Sequence, residues 1–395
     1  MTYKKFFETY GVIIFTFVLI AQLLPQFFIY FSDIALILGT LLYSKYSKKL
    51  LIFFLPFFIF SIFLLLFKDF SQVKQIIPNV RIFLALNMVL WIKNFSIYQS
   101  KTILKIIFSI TVVLIIGINI IGSLDVEQYK EIVSFWNGEY RKLGIQKITV
   151  SEMVAPERLS SFFPQPASSG LFHSVLLIFI IMMYLNYKKF YLLLLMGIIY
   201  WSGYISLSSI FQYFHILLIV TFVFSKILNH YKLEIILISL IPFLITSIIF
   251  LFFADENSYV YKITNAITGN RHLIDGNHYE PFIQMGLKEY LIGYSFSDIT
   301  ENFHRALGDS SFLTKLFLGG IFYYLAFIIF VILSYTYLLK LFCNDRKDKI
   351  LFIMYFSLVT FVEIGLTGYS QPQITVLSLS FFCLFFHINQ KKVNR

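Results

Sequence analysis

The chain has 395 residues, of which 58% are hydrophobic and only 13% are charged. Soluble domains carry roughly 25% charged residues, so the composition excludes a soluble globular protein and indicates a polytopic membrane protein. The formal net charge of +11 would suit nucleic acid or anionic lipid. The positions of the basic residues favour a topological role instead, so we expect no nucleic-acid partner.

Apolar runs long enough to cross a bilayer, about 20 residues each, recur along the whole chain. We therefore predict an all-α polytopic fold, with residues 1–395 forming a single integral membrane domain. About twelve spans are predicted, near 7–25, 27–44, 50–67, 77–93, 103–122, 168–186, 190–206, 208–226, 234–253, 320–341, 349–367 and 373–388.

Lysine and arginine clusters fall in alternate connections and at both termini. The clusters are Lys4/Lys5, Lys45/Lys48/Lys49, Lys93/Lys101/Lys105, Lys188/Lys189, Lys226/Lys232, Arg346/Lys347/Lys349 and Lys391/Lys392/Arg395. This is the positive-inside bias, which predicts a multi-pass protein of the cytoplasmic membrane with both termini in the cytoplasm.

The remaining connections then face outwards, and two of them are long. Residues 123–167 form the first predicted extracytoplasmic loop and residues 254–319 the second, larger one. Long connections in compact proteins are usually functional, so we expect the site in these two loops.

The first loop ends in "VAPERLSSFFPQPASSGLF", which places Arg158 shortly before the sixth span. Ser168 and Ser169 open that span, and serine is a natural N-cap. The free N–H groups of a helix N-terminus favour an anion. Arg158 would accordingly bind either a lipid headgroup phosphate or a phosphate of a substrate.

The second loop concentrates titratable residues without a metal-binding pattern. His272 and His278 lack the spacing of a zinc loop, and no D-x-D pair supports a divalent metal with a nucleotide sugar. We therefore predict no metal and no cofactor. His304 is either functional or a solvated loop histidine, and Arg305 either binds a ligand or pairs with Asp309 along a helix.

After Asp309, "SSFLTKLFL" has apolar residues at helical spacing with Lys315 on the opposite side. This predicts a short amphipathic helix at the outer interface, capped by Asp309 or Ser310. The pair Gly319–Gly320 predicts a bend where that helix joins the next span.

Polar residues inside predicted spans include Arg81, His215 and Glu363. A charge buried in a membrane is a functional candidate because burial without a partner is costly. Arg81 and Glu363 lie at similar depth, so they either pair with each other or Arg81 joins an anion site.

Several features of the chain together resemble the O-antigen polymerase and ligase superfamily. They are the many spans, the large late loop, the stretch "RLSSFFPQPASSGLF", the arginine of "GNRHLIDG" and the stretch "IGYSFSDITENFHRALGDSSFLTKLFLGGIFYY". The resemblance covers essentially the whole chain and implies a GT-C-like fold. It implies a metal-independent glycosyltransferase that uses polyprenyl-diphosphate-linked oligosaccharides at the outer leaflet.

Two departures favour the polymerase branch, which builds capsule, exopolysaccharide or O-antigen from repeat units. Ligases usually carry Asn or Ser directly after the histidine that corresponds to His304, whereas this chain has Arg305 there. Ligases also often carry arginine at the position where this chain has Ser209. An O-antigen ligase remains the alternative. A lipid-linked oligosaccharide flippase is less favoured, since no internal repeat is evident.

The resemblance also implies roles for individual residues. Arg158 and Arg271 would stabilise the leaving diphosphate, supported by Arg81 and Arg305, and His304 and Asp309 would serve as catalytic base. Glu280 and Asp298 are the fallback bases. Expected partners are the polyprenyl-diphosphate-linked oligosaccharides, membrane lipid, and chain-length regulator and flippase proteins.

Overall fold

The computed structural model of the protein describes residues 3–42, 44–67, 73–138, 140–143, 146–149, 158–163, 166–228, 230, 232–234, 285–294, 311–343, 345–365 and 372–393. Within these residues the secondary structure is helical apart from one short hairpin. Arg271, His304, Arg305 and Asp309 lie outside the described residues, as do Glu280 and Asp298.

The first half of the chain forms six helices and the hairpin. Their bounds are α1 Tyr3–Leu23, α2 Gln26–Leu42, α3 Ser44–Phe67, α4 Val73–Leu90, a 3₁₀ turn Trp91–Asn94, α5 Ile97–Leu124, α6 Val126–Asn137, β1 Tyr140–Leu143 and β2 Gln146–Thr149. The two strands are antiparallel, with Tyr140 opposite Thr149.

The second half of the described chain is helical. Its helices are α7 Pro166–Tyr187, α8 Phe190–Ile205, α9 Ser209–Leu228, α10 Leu287–Ile292, α11 Ser311–Phe342, α12 Arg346–Gly365 and α13 Pro372–Val393.

Helices occupy eleven of the predicted spans, and the twelfth, 234–253, lies outside the described residues except for Glu234. Three described helices are long and apolar enough to cross a bilayer: Ile97–Leu124, Pro166–Tyr187 and Lys315–Phe342. The chain is thus a helical protein with membrane-type helices. Twelve crossings and the GT-C-like arrangement remain predictions.

One end of the bundle, which we call the Lys93 end, is joined by polar contacts between helix termini. The ammonium of Lys93 donates to Gln390 Oε1 at 2.9 Å, and Gln390 Nε2 donates to the carbonyl of Leu341 at 3.2 Å. His387 Nε2 lies 3.0 Å from the carbonyl of Phe95. These contacts gather the last turns of α11 and α13 beside the start of α5.

The opposite end, the Trp136 end, carries the described part of the first long connection. The indole N–H of Trp136 in α6 donates to the carbonyl of Leu23 at 3.0 Å, and the amide of Leu159 donates to the carbonyl of Ile205 at 3.3 Å. The last residues of α1 and α8 therefore meet α6 and the 158–163 segment here.

The described part of the second long connection lies at the same end. Helix α11 runs antiparallel to α3, because Phe57 contacts Tyr323 while Phe53 contacts Tyr337. Since α11 finishes at the Lys93 end, its start, against which α10 packs, lies at the Trp136 end. Residues of both long connections thus share one end of the bundle.

Candidate functional site

Hydrogen bonds join the backbone of segment 158–163 to helices α5, α6 and α8, and two of these bonds involve α6. The amide of Ser160 donates to the hydroxyl of Tyr129 in α6 at 2.5 Å. Asn137 Nδ2, also in α6, donates to the carbonyl of Phe162 at 2.8 Å. Because these groups are buried, the bonds replace the water contacts that an isolated segment would make.

Burial of the Tyr129 side chain has an electrostatic consequence. It raises the pKa of Tyr129 to about 12, and the hydrogen bond from Ser160 opposes this rise only in part. The hydroxyl therefore stays neutral over the physiological range and remains an acceptor for the Ser160 amide.

The turn at the centre of the segment is anchored to helix α5. Asn119 Oδ1 accepts hydrogen bonds from the Ser161 amide at 3.0 Å and from the Ser161 hydroxyl at 3.2 Å. Ser161 has a φ of 53°, a left-handed conformation that non-glycine residues seldom adopt. Holding such a conformation costs of order 1–3 kcal/mol, so these bonds stabilise a turn that would otherwise relax.

The same asparagine connects the turn to two further helices. Asn119 Nδ2 donates to the hydroxyl of Ser202 in α8, and Ser202 Oγ lies 2.9 Å from His173 Nε2 in α7. The side chains of Asn119, Ser161, His173 and Ser202 are all fully buried. We call these four residues the Asn119 network.

Arg158 stands at the start of this segment and differs from the residues that follow it. It is exposed, whereas the next five residues are buried. The segment therefore presents one guanidinium at the surface of the Trp136 end from a backbone that three helices hold in place. That arrangement suits the binding of a fixed anion.

The start of α7 differs from the prediction that a serine, Ser168 or Ser169, caps the helix. The helix begins at Pro166, so Ser168 and Ser169 lie within its first turn and are buried. Proline is favoured at the first helical position because its φ is already helical and its missing N–H would have no partner there. Ser169 instead contacts His173, its hydroxyl lying 3.2 Å from Nδ1.

Arg81 has a partner that the sequence did not suggest. Its Nε lies 3.0 Å and one terminal nitrogen 2.5 Å from Asp33 Oδ2. This ion pair joins α4 to α2. The two side chains are 22% and 21% exposed. The pairing of Arg81 with Glu363, one of the two alternatives above, remains a prediction. The side chain of Glu363 is outside the described part.

The predicted bend at the glycine pair is present in α11. Gly320 has φ 69° and ψ −172°, which interrupts the helix. A Cβ on Gly320 would lie 2.2 Å from the carbonyl oxygen of Leu291 in α10, so only glycine fits this close backbone contact. The amide of Tyr294 donates to the carbonyl of Phe317 at 2.7 Å, which binds the chain after α10 to the turn before the break.

The prediction that Lys315 lies on a solvated face is wrong. Lys315 is 4% exposed, and its Nζ lies 4.2 Å from the centre of the Phe327 ring. Leu316 and Phe317 are buried as well. The lysine side of this turn is therefore buried, and the position of the helix at the outer interface remains a prediction.

His215, also predicted to lie inside a span, packs among rings. It contacts Tyr200 at 5.4 Å and Phe214 at 4.0 Å between ring centres. Within the described residues, no three His, Cys, Asp or Glu side chains cluster closely enough to hold a metal ion. His272 and His278 are not among those residues.

Sequence analysis missed the Asn119 network and Asp33. Asn119 sits in "LIIGINIIGS", His173 in "SSGLFHSVLL" and Asp33 in "YFSDIALIL". A polar residue isolated in an apolar span is a signal for a buried contact, and this rule applied to every such residue would have indicated all three.

Comparisons of the chain with protein-family models, curated proteins and solved structures found no match.

Proposed function

We propose that the protein is a polymerase that joins polyprenyl-diphosphate-linked oligosaccharide repeat units at the outer leaflet of the cytoplasmic membrane. The sequence resemblance described above motivates the reaction. The observation that carries the proposal is the exposed guanidinium of Arg158 on a segment held by three helices at the Trp136 end.

The orientation rests on the distribution of charge between the two ends of the bundle. Lys93 and the exposed Arg346 lie at the Lys93 end. Lys188 lies there too, because Tyr187, the last residue of α7, contacts Phe385 near the end of α13. Positive residues favour the cytoplasmic side of a membrane. The Trp136 end, with Arg158, would then face outwards, where the lipid-linked repeat units are polymerised.

In the proposed reaction, a hydroxyl of the acceptor sugar attacks the anomeric carbon of the donor glycan. The new bond joins that oxygen to the anomeric carbon, and the bond from the anomeric carbon to the diphosphate oxygen breaks. The electron pair leaves with the polyprenyl diphosphate, and the proton passes to a base, His304 or Asp309. Neither transfer requires a metal or a cofactor.

Arginine is suited to the leaving group because its planar fork binds two phosphate oxygens at once. Arg158 and Arg271 are proposed to stabilise the negative charge that develops on the diphosphate, and Arg305 to assist. Arg81 is the weakest of the four candidates, since Asp33 already balances its charge. The exposed apolar side chains of the helices would contact lipid and the isoprenoid tails.

The test replaces Arg158 by Lys and by Ala in cells that lack the native gene. We expect polymer formation to fall about 10²-fold or more in both variants, with normal protein levels, because a lysine does not reproduce the bidentate contact. Arg346→Lys is the matched control, an exposed arginine at the opposite end of the bundle, and should leave polymer formation unchanged.

The lipid-linked intermediate in the null strain separates the candidate activities. A missing polymerase leaves single repeat units facing outwards. Units that remain on the cytoplasmic side would identify a flippase, and finished polymer that is not attached to its acceptor would identify a ligase. Polymer of wild-type amount and length in both Arg158 variants would overturn the assigned role of Arg158.

A further inference from the structure

We propose that the Asn119 network is a positioning device, which fixes the turn at Ser161 and thereby the place of Arg158. This inference rests on the proposed function, because it assigns a purpose to the rigidity of the segment that carries the diphosphate-binding arginine. Asn119, His173 and Ser202 would act through Arg158 and contact no substrate themselves.

The hydrogen-bond directions in the network follow from a backbone carbonyl that contacts His173. His173 Nδ1 lies 2.7 Å from the carbonyl oxygen of Ser169, which only accepts, so Nδ1 carries the proton. In the neutral ring Nε2 is then an acceptor, and the Ser202 hydroxyl donates to it over 2.9 Å. The hydroxyl hydrogen of Ser202 therefore lies in the bond to His173 and is not available to a second acceptor.

The hydrogen bond from Ser202 to His173 determines the orientation of the Asn119 side chain. Ser202 Oγ has lone pairs left as acceptors, so Asn119 presents its NH₂ group to Ser202. Its carbonyl oxygen must then point at the Ser161 turn, where it accepts from both the amide and the hydroxyl. An asparagine rotated by 180° would lose these bonds, so His173 selects the rotamer that holds Ser161.

Burial makes this selection energetically significant. All four side chains are fully buried among apolar helices, where a polar group without its partner costs about 1–3 kcal/mol. The left-handed φ of Ser161 adds strain that the two bonds to Asn119 offset. Without Asn119 the turn would relax, and the guanidinium three positions earlier would lose its fixed place.

The experiment labels the full-length protein with a nitroxide at Arg158→Cys and records its mobility in lipid nanodiscs. The native Cys343 and Cys383 are buried and should not react. Asn119→Leu should increase the mobility of the label and, in a chain that retains Arg158, reduce polymer turnover about 10²-fold, since small displacements of a binding group cost that much.

Asn87→Leu is the matched control for loss of a buried asparagine. Asn87 is fully buried in α4, and its side-chain atoms have no hydrogen-bond partner among the described residues. We expect it to leave both label mobility and turnover at wild-type values. His173→Gln, which keeps an acceptor for Ser202, should retain most of the turnover, whereas His173→Leu should lose it as Asn119→Leu does.

The outcomes separate this inference from the proposed function. Wild-type label mobility and turnover in Asn119→Leu would overturn the positioning role. Equal losses in His173→Gln and His173→Leu would do the same, because the acceptor would then be irrelevant. If Arg158→Ala polymerises normally while Asn119→Leu still mobilises the label, the proposed role of Arg158 fails and the network is purely structural.

Discussion

At the scale of single residues, the Arg81–Asp33 pair shows how a charge is accommodated inside a membrane-type helix. The two side chains are each about one-fifth exposed, and their atoms approach to 2.5 Å. Removing one partner from such a pair leaves a poorly solvated charge, which costs more than the pair itself contributes. The energetics of the pair are therefore strongly coupled.

This coupling predicts non-additive stability changes. Asp33→Asn and Arg81→Gln should each lower the free energy of unfolding by about 1–3 kcal/mol, while the double variant should lose less than the sum by about 1–2 kcal/mol. Thermal unfolding in detergent measures the stability of the wild type, the two single variants and the double variant. Strictly additive changes would mean that the two residues act independently.

At the scale of secondary-structure elements, the break in α11 depends on two glycines, one in α11 and one directly after α10. Each lies against the backbone of the other helix. Gly320 lies against the carbonyl of Leu291, and Gly293, with φ 77°, would place a Cβ 2.5 Å from the carbonyl oxygen of Phe317. Helix α10 and the first turns of α11 are thus packed backbone to backbone. In the same part of α11, Lys315 is buried with its Nζ over the ring of Phe327.

Gly320→Ala should therefore lower the free energy of unfolding by about 2–4 kcal/mol, from left-handed strain and from the collision with Leu291. Gly197→Ala is the control, because a Cβ on Gly197 in α8 meets nothing within 4 Å among the described residues. That change should be neutral or stabilising by up to about 1 kcal/mol. Similar unfolding temperatures for both variants would show that the break tolerates a side chain.

At the scale of the whole molecule, the proposed function depends on which end of the bundle faces outwards. The Trp136 end carries α6, the 158–163 segment and α10, and the Lys93 end carries Lys93, Gln390 and Arg346. A site for lipid-linked glycans at the Trp136 end requires that end to be extracytoplasmic.

Cysteine labelling of whole cells tests this orientation. Glu127→Cys, an exposed position in α6, should react with a membrane-impermeant maleimide in intact cells or spheroplasts. Arg346→Cys should react only after permeabilisation. The buried native cysteines give little background, being 3% and 1% exposed. The reverse pattern would place Arg158 in the cytoplasm and exclude the proposed reaction.

The sequence predicted different parts of the candidate site for different reasons. The bend at Gly319–Gly320 was predictable because glycine pairs are a local cause of helix kinks. The exposure of Arg158 beside buried neighbours, and its anchoring by Tyr129 and Asn137, were not, since both depend on residues of α6 that pack against the segment.

The apolar runs alone identify a helical membrane protein and locate its helices. A helix satisfies its own backbone hydrogen bonds, so an apolar run of sufficient length identifies a membrane helix without knowledge of its neighbours. No sequence pattern predicts that Asp33 pairs with Arg81, or that Asn119 bonds to both Ser161 and Ser202. Those contacts depend on how each helix is rotated against the others, which is set by packing across the bundle and not by any local pattern.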